Sequence, residues 1–207
     1  MKGKFITFEG CEGVGKSRQI KLLQEYLDKH GISYYLTREP GGSLISEKIR
    51  NIILDSENKK MTDACEALLY AAARVQLLDE ILKEKLDNGE LVICDRYVDS
   101  SLAYQGYARG LGVDFVSKIN AYALENFLPD YTVFLNLSPK DAFKRKGGAD
   151  KGDRLEQSGI DFHNKVYNGY LELAKSDKER YIVIDASGTK EETHNKIIEE
   201  LEKRHVI

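Results

Sequence analysis

One short glycine-rich segment limits what this chain can fold into more than any other feature. Residues 10–17 read Gly-Cys-Glu-Gly-Val-Gly-Lys-Ser and match the pattern G-x-x-x-x-G-K-[ST]. An apolar, β-favouring run at residues 4–8 precedes the segment, and Ile20, Leu23 and Leu27 follow it at helical spacing. A strand, this loop and a helix in that order form a P-loop, in which backbone N–H groups surround phosphate oxygens. We therefore expect a nucleotide-binding site.

The last two residues of this motif have side chains that suit phosphate chemistry. Lys16 can reach the β- and γ-phosphates of a nucleotide, and Ser17 can offer its hydroxyl group to Mg²⁺. The helix that starts here also directs the positive end of its dipole at the anion. The predicted nucleotide-binding residues are Gly10, Cys11, Glu12, Gly13, Val14, Gly15, Lys16, Ser17 and Arg18.

Short apolar runs alternate with helical segments along the chain. Strands are predicted at residues 4–8, 33–37, 91–94, 131–137 and 181–184. Such alternation predicts parallel strands joined by right-handed crossovers. We expect one α/β domain, residues 1–207, with the three-layer sandwich of P-loop NTPases, in which a five-stranded parallel sheet is flanked by helices.

A long helix is predicted at residues 64–86. Its apolar residues recur at helical spacing, and Asn88-Gly89 ends it. The residues of this predicted buried stripe are Leu68, Ala72, Val75, Leu78 and Leu82.

Charge and hydropathy exclude two classes of partner. The net charge of −3 argues against a general nucleic-acid coat, which needs a basic surface. No apolar run approaches the length of a membrane span, and the chain opens on a strand rather than on a signal peptide. We therefore expect no membrane partner, no nucleic-acid partner and a cytoplasmic location.

The cysteines and histidines do not form a metal-binding pattern. Cys11, Cys65 and Cys94 lie far apart, without a C-x-x-C pair, and the four histidines are scattered. In a reducing compartment such cysteines behave as small hydrophobic residues. We interpret all three as buried.

Several classes of P-loop protein remain after these exclusions. A GTPase normally carries an N-K-x-D motif and a D-x-x-G motif after an early strand, and a motor ATPase is usually larger; neither description fits. Asp95 and Arg96 directly follow the predicted strand at 91–94, where an open α/β sheet has its ligand crevice. Asp95 can orient Mg²⁺ and Arg96 can clamp a phosphate, although a surface ion pair is the alternative interpretation. These features favour a small kinase.

Longer blocks of sequence resemble the thymidylate kinase family in its bacterial form, nearly from end to end. The pairing of the second and fourth blocks is the most specific feature. The blocks are residues 8–10 (FEG), 38–42 (REPGG), 70–76 (YAAARVQ), 95–97 (DRY) with 100–106 (SSLAYQG), and 153–156 (DRLE).

The resemblance implies transfer of the γ-phosphoryl group of ATP to dTMP, with Mg²⁺, as a step towards dTTP. By analogy, Tyr70 stacks on thymine and Arg74 binds the base edge; from spacing alone, Tyr70 in the core and a solvated Arg74 is the alternative. Tyr104 is expected against the deoxyribose, where it disfavours a 2′-hydroxyl. The implied dTMP-binding residues are Glu12, Arg38, Pro40, Tyr70, Arg74, Arg96, Ser101, Tyr104 and Gln105, and the implied metal-binding residues are Ser17 and Asp95.

A basic, glycine-rich segment at about residues 144–156 is the predicted lid. Residues 144–154 contain five cationic and two acidic residues, so the segment can cover a triphosphate and exclude water. A solvated surface loop is the alternative. The P-loop has no arginine between its outer glycines, which resembles the family form whose catalytic arginine lies in the lid. The implied catalytic residues are Lys16, Glu12, Arg96, Arg145 and Arg154.

Four finer expectations accompany the resemblance. Arg18 stands where the family usually has threonine, and it either contacts the α-phosphate or turns to solvent. The peptide bond Glu39–Pro40 is a candidate for the cis form. Residues 185–187 are expected near the adenine, from their position after the last strand. The family also implies a homodimer, formed through the apolar side of the 64–86 helix.

Three other functions stay open from the sequence. The same chemistry could act on uridylate, cytidylate or adenylate. The chain could instead be a switch or scaffold that binds ATP without transferring a phosphoryl group. An ATP-dependent nucleic-acid protein is the third, and the acidic net charge disfavours it.

Overall fold

The structure is a computed structural model that describes residues 3–146 and 158–207. The five strands are β1 (Phe5–Glu9), β2 (Tyr34–Arg38), β3 (Leu91–Asp95), β4 (Tyr131–Asn136) and β5 (Tyr181–Asp185). The helices within this part are α1 (Lys16–Lys29), α2 (Leu44–Leu54), α3 (Asp63–Leu77), α4 (Lys83–Asp87), α5 (Val98–Ser101), α6 (Val113–Ile119), α7 (Ala121–Asn126), α8 (Pro139–Lys146), α9 (Ile160–Ser176) and α10 (Lys190–Lys203), with π-helical segments π1 (Leu78–Leu82) and π2 (Leu102–Ala108). None of the described helices combines the length and the apolar composition that crossing a bilayer requires.

The sheet is parallel throughout and has the strand order β2-β3-β1-β4-β5. Strand β1 lies at the centre, with Thr7 opposite Cys94 of β3 on one side and Thr132 of β4 on the other. The carboxyl ends of all strands therefore meet at one edge of the sheet, where the loops after β1, β2 and β3 come together. The predicted fold class and the five predicted strands are confirmed.

Helices cover both faces of the sheet, so alternate strand residues enter two different clusters. On β1, Ile6 and Phe8 pack with Leu23 of α1 and the side chains of α9 and α10. Phe5, which precedes Ile6 along the strand, packs on the other face with Leu78 and the neighbouring leucines of the long helix. Burial on both faces explains why these strands are continuously apolar instead of alternating with polar residues.

The predicted long helix forms as α3, π1 and α4 in succession, but two of the five residues of its predicted buried stripe are exposed. Leu68 is 52% exposed and Ala72 is exposed, whereas Ala67, Ala71 and Arg74, each one residue earlier, are buried. The predicted and observed stripes meet again at Leu78, and Leu78 and Leu82 are buried as predicted. The error arose because small alanines and an arginine line the buried face, while leucine and valine stand beside them.

One of the three cysteines contradicts the prediction that all are buried. Cys11 and Cys94 are buried, but Cys65 is exposed. Cys65 lies in the first turn of α3, where its backbone N–H donates to the Thr62 hydroxyl that caps the helix, 3.3 Å away. Its side chain therefore lies on the solvent-exposed side of the first turn of α3.

Candidate active site

The largest cluster of predicted site residues surrounds one cavity at the carboxyl edge of the sheet. The cavity has a volume of about 390 Å³ and lies where the loops after β1, β2 and β3 meet the long helix. All nine residues with an implied dTMP contact line it, as do both implied metal-binding residues. The wall continues along the P-loop from Cys11 to Arg18. The structure therefore brings together side chains that are far apart in sequence.

The P-loop glycines adopt backbone conformations that other residues rarely reach. Gly10, Gly13 and Gly15 have φ angles of +150°, +78° and +94°. A Cβ atom on Gly13 would lie 3.1 Å from the backbone oxygen of Ala142, so this glycine also permits a close approach of α8. Helix α1 begins after Gly15, which has no side chain to cap it. Its first N–H groups are thus left for an anion.

Lys16 and Asp95 form the charged contact at the floor of the cavity. The Lys16 ammonium group donates to Asp95 Oδ1 at the end of β3. Burial lowers the pKa of Lys16, and the neighbouring Arg96 charge lowers it further, while Asp95 opposes both effects. Because burial disfavours the charged form of Lys16, an arriving phosphate would stabilise its ammonium group further.

Arg96 has the strained backbone of a functional position. Its φ angle of +69° lies in the left-handed region, which costs a non-glycine residue about 1–3 kcal/mol. The guanidinium group donates to the Gly10 carbonyl oxygen at 3.0 Å and lies over the Tyr104 ring, 5.3 Å from its centroid. It also approaches Glu12 Oε2 to 3.6 Å. Arg96 thus bridges the P-loop and the wall formed by π2.

Glu9 is a buried hub beneath Arg96 to which the sequence analysis assigned no role. It accepts from the Tyr97 backbone N–H at 2.8 Å, from the Ser100 hydroxyl at 2.6 Å and from the Tyr170 hydroxyl at 2.7 Å. Burial raises the pKa of Glu9, and the charge of Asp99 adds to the effect. The hub ties β1 to α5 and α9. A lone carboxylate in an apolar strand directly before the P-loop was the available sequence signal.

Arg74 is a buried arginine in the cavity wall, with 1% of its surface exposed. Its Nε donates to Glu39 Oε2 at 2.7 Å, its Nη2 donates to the Ser101 hydroxyl at 3.1 Å, and its Nη1 donates to Asn120. Burial raises the pKa of Glu39 to about 7, although Arg74 acts in the opposite direction. The alternative of a solvated Arg74 is wrong.

Tyr70, Tyr104 and Gln105 complete the wall around Arg74. Tyr70 lies one helical turn before Arg74 and is half-buried, so both side chains face the same cavity. The structure places Tyr104 beside Arg96, and Gln105 Nε2 donates to Glu66 Oε1 at 2.8 Å. The bond Glu39–Pro40 is cis, as predicted.

Comparison with known proteins identifies the family. A sequence model described as "Thymidylate kinase" matches residues 8–197. The chain is 47% identical over 203 residues to the thymidylate kinase of Finegoldia magna, covering 98% of this chain and 100% of that one. The chain belongs to the thymidylate kinase family. Thymidylate kinases of Lactobacillus helveticus (48% over 210 residues, 99% and 98% of the two chains) and Thermoanaerobacter sp. strain X514 (45% over 203 residues, 98% and 99%) are similarly close.

Of the two candidate lid arginines in this member of the thymidylate kinase family, the structure describes only Arg145. Arg145, at the end of α8, donates to the carbonyl oxygens of Ala186 and Gly188, at 2.7 and 3.1 Å, and to that of Ser187. It is thus fixed on the loop after β5 and is absent from the described lining of the cavity. Arg154 and lid residues 147–157 lie outside the described residues. The catalytic role of either arginine stays a prediction.

Arg38 is held by Glu47 and lies beside Arg50, a cavity residue that was not predicted. Its guanidinium group donates to both Glu47 carboxylate oxygens at 3.0 Å and to the Pro40 carbonyl oxygen at 2.9 Å. Arg50 donates to the same carbonyl oxygen at 2.7 Å and also lines the cavity. The sequence analysis missed Arg50 because a single arginine on an amphipathic helix carries no signal for a site.

The oxygen atoms near Lys16 have the chemistry that Mg²⁺ prefers. Ser17 and Asp95 line the same cavity and offer a hydroxyl and a carboxylate oxygen. Within the described ranges, no group of three or more histidine, cysteine, aspartate or glutamate side chains is arranged to hold a metal ion. The Ser17 hydroxyl and the Asp95 carboxylate fit Mg²⁺, which is usually held by one or two protein oxygens together with water and substrate phosphates.

Proposed function

We propose that this protein transfers the γ-phosphoryl group of ATP to the 5′-phosphate of dTMP, giving dTDP and ADP. One observation carries the proposal. A single cavity is lined both by a phosphate-binding loop with its lysine and by Tyr70, Arg74 and Gln105, the residues assigned to the base. Membership of the thymidylate kinase family supports the same conclusion.

The donor nucleotide would occupy the P-loop end of the cavity. The N–H groups of the loop and of the first turn of α1 bind the phosphates, and Lys16 moves from Asp95 to the transferred group. The exposed Arg18 lies on the rim, within reach of either phosphate or solvent. Residues 185–187 would lie near the adenine, with Arg145 bonded to their backbone.

The acceptor would lie with its base against the long helix and its phosphate beside Arg96. Arg38 is the last residue of β2, and Arg96 directly follows the neighbouring strand β3. Both line the cavity, and planar guanidinium groups suit bidentate binding of a phosphate. Tyr104 packs beside Arg96 where a sugar joins base and phosphate, so added bulk at the 2′ carbon is disfavoured there. Glu12 lies close enough to Arg96 to hold its guanidinium group. Its alternative role is to accept a hydrogen bond from the 3′-hydroxyl of the sugar.

Mg²⁺ would be held by Ser17 and Asp95. When bound, the ion neutralises charge on the phosphates of the donor. Asp95 also pairs with Lys16, so one carboxylate serves two cationic groups at the site of transfer.

The proposed transfer needs the substrates to be aligned and their charge to be neutralised, but it needs no residue that abstracts a proton. The second pKa of a phosphate monoester is about 6, so the acceptor oxygen is ionised at neutral pH. Lys16 and Arg96 both line the cavity and can stabilise the charge that develops on the transferred group. The lid cations, including Arg154, would add to this charge and exclude water, which is the competing acceptor.

A panel of acceptors tests the assignment of the base pocket. We expect ADP release, measured with ATP and Mg²⁺, to depend on dTMP and to be much slower with the monophosphates of uridine, cytidine and adenosine. A preference for a ribonucleotide would contradict the positions assigned to Tyr70, Arg74 and Tyr104. ADP release that needs no acceptor would favour an ATP-binding switch.

We also propose a cytoplasmic location. ATP is abundant there, and the described cysteines are free thiols, which a reducing compartment preserves.

We propose a homodimer formed through α2 and α3. These neighbouring helices expose Ile45, Ile52 and Leu68, large apolar side chains whose burial against a second copy would be favourable. The face includes the exposed Leu68 and Ala72 that the sequence pattern had placed in the core.

A charge on this face should separate the subunits. We expect Leu68→Lys to shift the mass in sedimentation equilibrium from a dimer to a monomer, because it would bury an unpaired ammonium group at the contact. Leu128→Lys is the matched control, since Leu128 is 47% exposed and Leu68 52%, but Leu128 lies before β4. Equal masses for wild type and Leu68→Lys would contradict the proposed face.

A further inference from the structure

Glu66 is a fully buried carboxylate that lies outside the cavity lining yet contacts a residue of its wall. It lies on α3 one turn before Tyr70 and two turns before Arg74, so the three side chains share one face of the helix. It accepts from Gln105 Nε2 at 2.8 Å and from Arg109 Nε and Nη2 at 3.3 and 3.2 Å. The sequence analysis gave it no role.

Arg109 contacts both oxygens of this carboxylate, and its Nε shares Oε1 with Gln105. Its guanidinium group also pairs with Asp63 at 3.4 Å and lies over the Phe162 ring, 4.7 Å from the centroid. Because Glu66 is buried and Arg109 contacts both of its oxygens, the carboxylate has little freedom to turn. The position of the carboxylate is therefore fixed before any ligand binds.

The fixed carboxylate determines which end of the Gln105 amide faces it. A carboxylate accepts hydrogen bonds, so the amide NH₂ group must face Glu66, and a flipped amide would set two acceptor oxygens against each other. Gln105 is buried and lines the cavity. Its carbonyl oxygen Oε1 is thus the polar atom that remains for a base.

We propose that Glu66 is a positioning residue for base specificity, acting through Gln105; the inference rests on the proposed function. An acceptor at Gln105 selects a base whose ring nitrogen N3 carries a hydrogen, as in thymine. Cytosine and 5-methylcytosine have an unprotonated N3, which would face Oε1 as a second acceptor. Arg74 can only donate and so suits the O4 oxygen of thymine independently.

The variant Glu66→Gln tests the inference with dTMP and 5-methyl-dCMP, which carry the same methyl group. A glutamine at this position can donate or accept, so the Gln105 amide can turn either way. We expect the ratio of dissociation constants for the two nucleotides to move about tenfold towards 5-methyl-dCMP. The contribution of Arg74 is common to both proteins and cancels.

A double-mutant cycle separates positioning from a general structural role. In a Gln105→Leu background, Glu66→Gln should leave the ratio unchanged, because no amide remains to be oriented. A loss of affinity that is equal for both nucleotides in Glu66→Gln would overturn the inference. Turnover of dTMP by the wild type shows separately whether the proposed function holds.

Glu66→Asp provides a second variant if Glu66→Gln does not fold. It keeps a carboxylate for Arg109 but withdraws it from Gln105 by one methylene group. We expect the ratio to move in the same direction, and an unchanged ratio would equally overturn the inference.

Discussion

Replacement of Lys16 by methionine is expected to lower kcat about a thousandfold. Methionine keeps an unbranched side chain but removes the ammonium group that we assign to the transferred phosphate. Burial lowers the pKa of Lys16, so keeping this ammonium group charged costs the folded protein free energy. We therefore expect the melting temperature of Lys16→Met to differ little from that of the wild type. Steady-state rates with saturating ATP and dTMP, together with thermal unfolding, measure both effects.

Lys4→Met is the matched control for this substitution. Lys4 is exposed, lies at the opposite end of β1 and pairs with Asp130 at 3.4 Å. An exposed ion pair contributes little to stability, and Lys4 is far from the cavity edge, so its kcat should equal that of the wild type. Turnover by Lys16→Met at the wild-type rate would contradict the assigned role.

Replacement of Arg74 by methionine is expected to reduce both dTMP use and stability. The substitution removes the donor assigned to the base edge, so kcat/KM for dTMP should fall about 100-fold. It also leaves the Glu39 carboxylate buried without its partner, which should cost about 3 kcal/mol of unfolding free energy at pH 8. Denaturant unfolding and steady-state kinetics measure the two losses separately.

The stability loss in Arg74→Met should depend on pH. Burial already raises the pKa of Glu39 from its ordinary 4.5 to about 7, and removal of Arg74 raises it further. The folded state then binds a proton that the unfolded state releases, so the unfolding free energy falls as pH rises above about 4.5. We expect a smaller loss at pH 6 than at pH 8.

The double variant Arg74→Met/Glu39→Gln distinguishes binding from stability. Neutralising Glu39 should recover most of the lost unfolding free energy and remove its pH dependence. The dTMP defect should persist, because the base donor is still missing. Recovery of kcat/KM to the wild-type value would show that Arg74 acts only through the fold.

The sequence was sufficient for features that depend on local pattern. The P-loop, the five strands and the cis bond at Glu39–Pro40 follow from motif, apolar runs and family resemblance, and the structure contains all of them. The long helix was found, but its phase was wrong at Leu68 and Ala72. The hydrophobic pattern cannot show that a helix directs polar side chains into a cavity. That orientation depends on the cavity that the neighbouring elements form.

The buried acids of the site were not predictable in this way. Each buried acid holds a side chain that reaches the cavity. Glu39 holds Arg74, and Glu66 holds Gln105. Glu9 holds Arg96 indirectly, through the hydroxyl groups of Ser100 and Tyr170. Their partners lie more than 30 positions away along the chain, as the separation of 35 residues between Glu39 and Arg74 shows. Only the packing of the sheet against the long helix, α5, π2 and α9 brings these pairs together.

Direct transfer of the phosphoryl group is the central claim, and ATP labelled in its γ-phosphate measures it most directly. The protein is incubated with this ATP, Mg²⁺ and dTMP, and the labelled products are separated. We predict that the label appears in dTDP, in equal amount to the ADP formed, and that omission of dTMP abolishes ADP formation. Label found only in inorganic phosphate, with no labelled dTDP, would contradict the account.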